Sequence, residues 1–361
     1  MFGHNHYVPI LKLRMGETKA LQYLKTGKEL ITPLFEIPPV PWDYANDTPA
    51  KTLAEHTGKT ISNIASCWGS SPFFFDMRYI REEIKEDISD SGCKMAELYQ
   101  SAIDSNLRPI PVISPNMGSD YERRIFNSHI IANTGICIRL ESEDLDDDEY
   151  GDKLLNLVDT LKASPEQIDI IIDLGRIPKQ GVGPYVAGLK NIIRFFPKIT
   201  NWRTFTIAAT SFPESMSDFQ QNTADTTPRA EWDMWQRVIK SDNLRRLPSF
   251  SDFGISTPEP FEMDPRMMRL GAKIKYTLDT DWLIVKGMGI SRGGSEQFHN
   301  LAALIANSKY FYGANFSWGD KRISECANRT CGPGNQTTWV TVGMNHHFAV
   351  VAEQISNLGE A

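Results

Sequence analysis

Many of the charged side chains that could do chemistry stand where a short apolar run of the sequence ends. The acidic ones are Glu36, Asp76, Glu141, Asp173 and Asp252, and the basic ones are Lys12, Arg78 and Arg139. Two further runs end in the hydroxyl side chains of Ser114 and Ser211. Charged groups that are removed from water need partners. A cluster of acidic and basic side chains therefore either forms internal ion pairs or binds a charged ligand.

The carboxylates predict a catalytic or metal-binding group, and we assign this role to Glu36, Asp76, Asp173 and Asp252. Carboxylate oxygens are preferred ligands of Mg²⁺ and Mn²⁺, and an acidic side chain can also act as a general base. The sequence leaves open whether the protein carries either metal.

The basic and hydroxyl side chains predict a binding site for an anion. The expected ligand contacts are Lys12, Arg78, Ser114, Arg139, Ser211 and His346. Arginine contacts phosphate or carboxylate through two N–H groups, whereas lysine acts as a point charge. His346 lies in an Asn-His-His sequence whose helical phase turns one histidine inward, where it could transfer a proton near neutral pH. A hydrogen-bonded core histidine is the alternative.

Eight short β-rich runs alternate with amphipathic segments, which is typical of a parallel sheet. The runs cover residues 7–11, 31–37, 72–77, 108–114, 135–140, 168–174, 204–209 and 248–254. Eight such strands predict a TIM-type (β/α)8 barrel, in which the charged residues meet at the carboxyl ends of the strands. An open doubly wound sheet is the alternative, but no glycine-rich dinucleotide fingerprint follows the first strand.

The segments between and after the strands predict the rest of the fold. Helical patterns cover residues 17–25, 51–65, 94–104, 121–132, 153–161, 185–196 and 230–239. Residues 273–279 and 282–286 flank an Asp-Thr turn and predict a β-hairpin, residues 297–306 a postponed eighth helix, and residues 336–355 a last helix. We therefore expect a barrel over residues 1–310 with a hairpin insertion at 262–290, and a helical carboxyl-terminal extension over 311–361 that packs on the barrel.

The composition excludes several classes of protein. The chain has 361 residues, enough for a barrel of about 250 residues with insertions. A formal net charge of −7 argues against a protein whose whole surface binds nucleic acid, but it does not exclude a local basic groove. No apolar stretch reaches the roughly 18 residues of a membrane span, and no secretory signal precedes the first strand. Five cysteines without CxxC spacing indicate a reducing compartment, so the expected location is the cytoplasm.

Several motifs resemble those of the beta-protein family of temperate and satellite phages and of bacterial prophages. They are HYVPILK followed by Gly16 and Glu17, ITPLFEIPP, and the late SWGD followed by GNQTTWVTVGMNHH, and the resemblance spans almost the whole chain. It implies an accessory role in a prophage defence or killing module, encoded beside a toxin-like partner. The barrel prediction rests on the strand count and not on this resemblance.

Two functions are compatible with these features. The first is an enzyme, a hydrolase that acts on a phosphorylated or nucleotide-like molecule and uses the carboxylates as catalysts with Lys12 and Arg139 as anion clamps. The second is a non-catalytic sensor or immunity module that binds a partner protein or a phage-derived ligand. Carboxylates paired internally would favour the sensor, whereas an open pocket with unpaired carboxylates would favour catalysis.

Overall fold

A closed barrel of eight parallel strands forms the body of the protein in a computed structural model, which describes residues 2–80, 97–115, 134–259 and 270–359. The barrel strands are β1 (Tyr7–Leu11), β2 (Leu34–Glu36), β5 (Pro72–Asp76), β6 (Arg108–Ile113), β7 (Ile136–Glu141), β8 (Ile168–Arg176), β9 (Thr204–Thr210) and β11 (Ser249–Asp252). Their order around the barrel is β1-β11-β9-β8-β7-β6-β5-β2. The predicted TIM-type barrel is confirmed, and each strand lies inside a predicted run or extends at most two residues beyond it.

The remaining elements lie around this barrel. A two-stranded ribbon pairs β3 (Trp42–Asp43) with β4 (Thr48–Pro49), and a second sheet contains β10 (Ala224–Pro228), β12 (Gly271–Thr277) and β13 (Asp281–Gly289). The helices are α1 (Met15–Gln22), α2 (Leu53–Cys67), α3 (described over residues 97–104), α4 (Ser142–Leu145), α5 (Tyr150–Leu161), α6 (Gly183–Phe195), α7 (Ala230–Ile239), α8 (Ile290–Gly293), α9 (Gln297–Ala306), α10 (Trp318–Ala327) and α11 (Gln336–Ser356). The predicted helix over 121–132 and the start of the predicted insertion lie outside the described residues.

The barrel strands have one face toward the barrel interior and one toward the surrounding helices, because successive side chains of a strand point to opposite faces. Val8, Phe74, Cys137 and Ile171 belong to the inner apolar cluster. Their neighbours one residue away along the strands belong to the larger cluster that joins the barrel to its helices. This alternation decides which charged residues reach the mouth of the barrel.

The second sheet is antiparallel, with the order β10-β13-β12. The predicted hairpin strands therefore pair, and β10 joins them as a third strand that the sequence analysis did not identify. One face of the sheet packs against α9, α10 and α11 through Ile274, Tyr276 and Leu283. Trp282 and Ile284 on the opposite face join the cluster around the barrel. The sheet is thus held between the barrel and a layer of helices.

The eighth helix of the barrel is α11 and not the segment over 297–306, which corrects the sequence-based expectation. The buried residues of α9, such as Phe298 and Leu301, pack in the second cluster rather than on the barrel. In α11, Met344 and Phe348 pack on the barrel cluster, whereas Trp339 and Val342 belong to the second cluster. A helix that is buried on nearly all sides needs apolar residues around its whole circumference, which explains the weak amphipathic pattern of α11.

The described part of the chain contains neither a membrane-spanning helix nor a disulfide. No helix there is long and apolar enough to cross a membrane. Cys67, Cys137, Cys326 and Cys331 are free thiols, so the described cysteines form no disulfide.

Candidate functional site

A buried arginine occupies the centre of the carboxyl end of the barrel. Arg139 donates to Asp173 Oδ2 through Nε and Nη2, at 2.9 and 2.5 Å. Its Nη1 donates to Glu36 Oε1 and to Asp76 Oδ2, each at 2.9 Å. The strand pairing explains this convergence, because Glu36 lies opposite Asp76 in the register of β2 and β5, and all four residues point into the barrel. Three of the four predicted catalytic carboxylates therefore surround one guanidinium group.

Arg78 extends this cluster toward the surface. Its Nε donates to Asp76 Oδ2 at 3.0 Å, and its Nη1 donates to Glu141 Oε1 at 2.7 Å. The side chain of Glu141 is 45% exposed, whereas those of Glu36 and Asp76 are almost completely buried. The cluster thus runs from a closed interior to an accessible rim.

Burial and ion pairing shift the pKa values of the inner groups in opposite directions. Burial disfavours the charge of Arg139, but Asp173, Glu36 and Asp76 outweigh burial and hold the Arg139 pKa well above its ordinary value. Burial raises the pKa of Glu36 by more than Arg139 and Arg78 lower it. Glu36 Oε2 is also buried, and the described residues offer it no hydrogen-bond partner. Glu36 is therefore more easily protonated than an exposed glutamate.

The carboxylates do not fit a metal ion. The Arg139 guanidinium fills the space between Glu36, Asp76 and Asp173 and supplies the positive charge that Mg²⁺ or Mn²⁺ would bring. Within the described ranges, no group of three or more His, Cys, Asp or Glu side chains could hold a metal. The expected metal role of these carboxylates therefore has no support in the geometry.

A cavity of about 590 Å³ opens above the cluster, and we call it the mouth cavity. Its lining includes Arg78, Arg139, Glu141, Ser142, Glu143, Asp173, Leu174, Gly175, Arg176, Pro258 and Glu259. The Arg176 guanidinium lies 3.0 Å from the Glu259 carboxylate, and that carboxylate is 59% exposed. The sequence analysis missed Arg176 and Glu259, although Arg176 stands only three residues after Asp173 at a shift in the register of β8.

Lys12 holds a loop rather than facing the mouth cavity. Its ammonium donates to the carbonyl oxygens of Thr257, Pro258 and Glu259 at 2.7, 2.6 and 2.5 Å. Burial lowers the pKa of Lys12 to about 8, and Glu36 opposes this shift. Lys12 thereby fixes Pro258 and Glu259, two residues that line the mouth cavity.

Asp252 and Ser211 point away from the barrel interior, so they do not join the cluster around Arg139. Asp252 accepts a hydrogen bond from the Tyr7 hydroxyl at 2.6 Å and lies 3.0 Å from His347 Nε2. Ser211 donates to Glu231 at the start of α7. Ser114 follows β6 in the inward phase, but it is not among the residues that line the mouth cavity.

His346 and His347 are both completely buried. His346 Nδ1 lies 2.8 Å from Asp320 Oδ2, and its ring stacks on Tyr276 at 3.7 Å. His347 contacts Asp252 and stacks on Trp282 at 5.1 Å. These contacts connect α11 to the barrel and to the second sheet, and neither histidine lines the mouth cavity.

Comparison with known proteins identifies the family of the chain. No curated protein matches the chain. The sequence model described as Beta protein matches residues 7–353, nearly the whole chain. The protein therefore belongs to the Beta protein family.

Proposed function

We propose that the protein is a non-catalytic binding module of a prophage-associated defence or toxin system, and that its mouth cavity recognises an anionic group. The observation that carries this proposal is the position of Arg139 among Glu36, Asp76 and Asp173. A carboxylate engaged by an arginine is a poor general base, since deprotonation of a substrate would require it to give up its ion pair. The pairing therefore favours binding over catalysis.

The rim of the mouth cavity supplies the recognition. Arg78 and Arg176 are partly exposed there, and each is paired with a more exposed carboxylate, Glu141 and Glu259 respectively. Exposed ion pairs contribute only about 0–1 kcal/mol, so a phosphate or carboxylate of a ligand can replace these glutamates at little cost. The two arginines then hold the anion through paired N–H donors.

The hydrolase hypothesis rests on one specific observation, the raised pKa of Glu36 together with its unpartnered Oε2. A carboxyl group of this kind is suited to donate a proton. However, Glu36 is fully buried and does not line the mouth cavity. A substrate in the cavity would therefore not reach it without movement of Arg139.

The experiment compares binding and turnover of two probes, inorganic phosphate and adenosine monophosphate, in the variants Arg78→Gln and Arg176→Gln. We expect each variant to weaken probe binding about tenfold or more and to reduce protection in a phage-challenge assay. Arg237→Gln is the matched control, because Arg237 forms an exposed ion pair with Asp233 on α7. If the protein releases phosphate from adenosine monophosphate and Glu36→Gln abolishes this release, the protein is a hydrolase and the binding proposal is wrong.

A further inference from the structure

Three lysines share one face of the second sheet, the face that is turned toward the barrel. Lys273 and Lys275 are two residues apart on β12, so their side chains lie on the same side. Lys273 stands directly opposite Lys286 of β13 in the antiparallel register. Trp282 and Ile284 on this same face pack in the barrel cluster. We call this group of Lys273, Lys275 and Lys286 the lysine face.

Among the described residues, none of these three ammonium groups has a carboxylate partner. Lys275 donates to the Ile255 carbonyl at 2.7 Å and lies 4.3 Å from the centre of the Phe212 ring. Lys286 donates to the carbonyl oxygens of Met216 and Phe219 at 2.7 and 3.0 Å. For Lys273, the described part of the chain provides neither a hydrogen bond nor an ion pair.

This arrangement is unfavourable in the free protein. Like charges directly opposite each other on a sheet destabilise the pairing of the strands. Burial lowers the pKa of Lys273, and the charge of Lys286 lowers it further. Burial likewise lowers the pKa of Lys275 to about 7, with contributions from Lys273 and Arg14. A cluster of charges that is costly without a partner is a common property of binding sites.

The surroundings add positive charge rather than neutralising it. The charge of Arg14, which precedes α1, acts on Lys275 and lowers its pKa. Lys179 lies 5.9 Å from the centre of the Phe219 ring, and the Phe219 carbonyl accepts a hydrogen bond from Lys286. The Glu259 carboxylate is engaged with Arg176 at the mouth cavity. In the described ranges, no aspartate or glutamate lies within ion-pair distance of the lysine face. Asp225 of β10 shares this face, because it stands opposite Ile284, but its carboxylate accepts from the Gln220 amide and the Thr223 hydroxyl. Among the described residues, an incoming anion would therefore meet several cations and a carboxylate that is already engaged, two strands away from Lys275.

We propose that the lysine face binds a chain of two or more linked phosphates, either free or carried by a nucleotide. A single phosphate could satisfy one or two of these ammonium groups, whereas linked phosphates bring several negative charges to three lysines on two adjacent strands. Lysine binds phosphate as a point charge and needs no fixed orientation of the ligand. This site is separate from the mouth cavity and goes beyond the function proposed for it.

The direct test measures binding of tripolyphosphate, adenosine triphosphate and inorganic phosphate by calorimetry. We expect tripolyphosphate to bind at least tenfold more tightly than inorganic phosphate, and Lys273→Gln to weaken its binding about tenfold. Lys273→Arg should retain most of the affinity, because it keeps the charge. Lys153→Gln is the matched control, since Lys153 is an exposed lysine paired with Asp147. If adenosine triphosphate binds more tightly than tripolyphosphate, the phosphates that the site recognises are carried by a nucleotide.

Two further readouts distinguish a binding site from lysines with a structural role. Lys273→Gln should raise the melting temperature of the free protein, because it removes a like-charge contact and breaks no hydrogen bond. Phosphate binding should also draw protons from the buffer at pH 7, because an anion raises the pKa of Lys275, whose charged neighbours are Lys273 and Arg14, with Asp225 two strands away on the same face. This proton uptake should be replaced by proton release at pH 5.5, where Lys275 is already charged and binding displaces protons from terminal phosphates of pKa about 6.

Three results would overturn the proposal. They are the absence of tripolyphosphate binding, binding that Lys273→Gln leaves unchanged, and a lower melting temperature for Lys273→Gln. If Arg176→Gln abolishes the binding of tripolyphosphate and Lys273→Gln does not change it, the anion binds in the mouth cavity. That result would support the function proposed for the mouth cavity while rejecting the lysine face.

Discussion

Arg139 illustrates how strongly a buried charge depends on each of its partners. Asp173 accepts two of its hydrogen bonds and also accepts one from the Gly175 backbone amide. Glu36 accepts a single hydrogen bond and has a raised pKa, so it contributes less to holding the charge of Arg139. Removing one partner of a buried pair leaves an uncompensated charge, which is far more costly than losing an exposed pair. The carboxylates around Arg139 are therefore not equivalent.

We predict that Asp173→Asn destabilises the protein by about 3–5 kcal/mol, because Arg139 loses a charged partner and the amide NH2 of asparagine would face a donor, either Arg139 or the Gly175 amide. Glu36→Gln should cost less than about 2 kcal/mol, since the amide oxygen can still accept from Arg139. Urea denaturation measures both values. Asp233→Asn, which breaks the exposed pair with Arg237, is the control and should change stability by less than about 0.5 kcal/mol. Equal losses for Asp173→Asn and Glu36→Gln would contradict this ranking.

The lowered pKa of His6 predicts how the stability of the protein depends on pH. Burial, and then the charge of the amino terminus, lower the pKa of His6 to about 4, so the folded protein holds the ring neutral. The unfolded chain takes up a proton below about pH 6.5, and stability therefore falls as the pH decreases from 6.5 to 4. The contribution of His6 to this loss is on the order of 3 kcal/mol.

His6→Gln should remove this pH-dependent contribution, because glutamine does not titrate and can still hydrogen-bond Thr32, which lies 2.9 Å from His6 Nε2. Urea denaturation at pH 7 and at pH 4 measures the difference between the two proteins. The contributions of other titrating groups are the same in both and cancel. A parallel pH dependence for both proteins would show that His6 is already charged in the folded state.

The sequence predicted the inner cluster only in part, because it did not give the phase of each strand. Glu36, Asp76, Arg139 and Asp173 share the inward phase, whereas Asp252 has the outward phase. A parallel strand that is covered on both faces is apolar on both, so its sequence does not show which residues point inward. The partners of Arg139 could thus be named as candidates, while their geometry required the three-dimensional fold.

Among the elements, α11 carries nearly all of the longest motif by which the chain resembles its family. The Tyr7 hydroxyl of the first motif lies 3.0 Å from His347 Nε2. Asp320 of the SWGD motif lies 2.8 Å from His346, and Asn345 donates to the Ala20 carbonyl at 3.0 Å. These motifs therefore describe how the last helix docks on the barrel. They identify the family without indicating a reaction.

The docking of α11 on α1 gives a prediction for two glycines. A methyl group on Gly16 would lie 2.5 Å from Val340 Cγ1, so Gly16→Ala should destabilise the protein by about 1–3 kcal/mol. Gly58 in α2 has nothing within 4 Å of the same position, and Gly58→Ala should stabilise the protein by about 0.5–1 kcal/mol. Chemical denaturation measures both. Adding Val340→Ala to Gly16→Ala should restore part of the loss, and no recovery would argue against close contact of the two helices.

The strands and the eighth helix show why some elements were predictable and others were not. The apolar runs located all eight barrel strands, because a buried parallel strand requires such a run. The sequence places the eighth helix at residues 297–306, because this is the first helical pattern after the predicted hairpin. Here two strands of the second sheet, β12 and β13, and the helices α8, α9 and α10 come between β11 and α11. Nothing local in the sequence marks which of several late helices returns to the barrel.

For the whole molecule, α11 joins two apolar clusters into one structure. Its residues Phe348 and Ile355 pack in the barrel cluster, and Trp339 and Val342 pack in the second cluster. Arg229 adds a polar connection, since its Nη1 donates to the Leu278 carbonyl of the second sheet and to Gln354 of α11. Loss of α11 would therefore expose apolar surface on both sides.

We predict that the barrel and the second sheet unfold together in one transition. Native-state hydrogen exchange should give the same opening free energy for the slowest amides of β8 and of β13, because neither cluster is complete without α11. Deletion of residues 336–361 should abolish this shared transition and yield insoluble protein, since Asp252 would lose His347 and the barrel would lose its eighth helix. Deletion of residues 359–361 is the control and should leave the melting curve unchanged, because it retains α11 and also Leu358, which packs against the barrel cluster. A soluble remainder that lacks residues 336–361 and keeps the original melting curve would contradict the prediction, because it would show that the barrel is stable without its last helix.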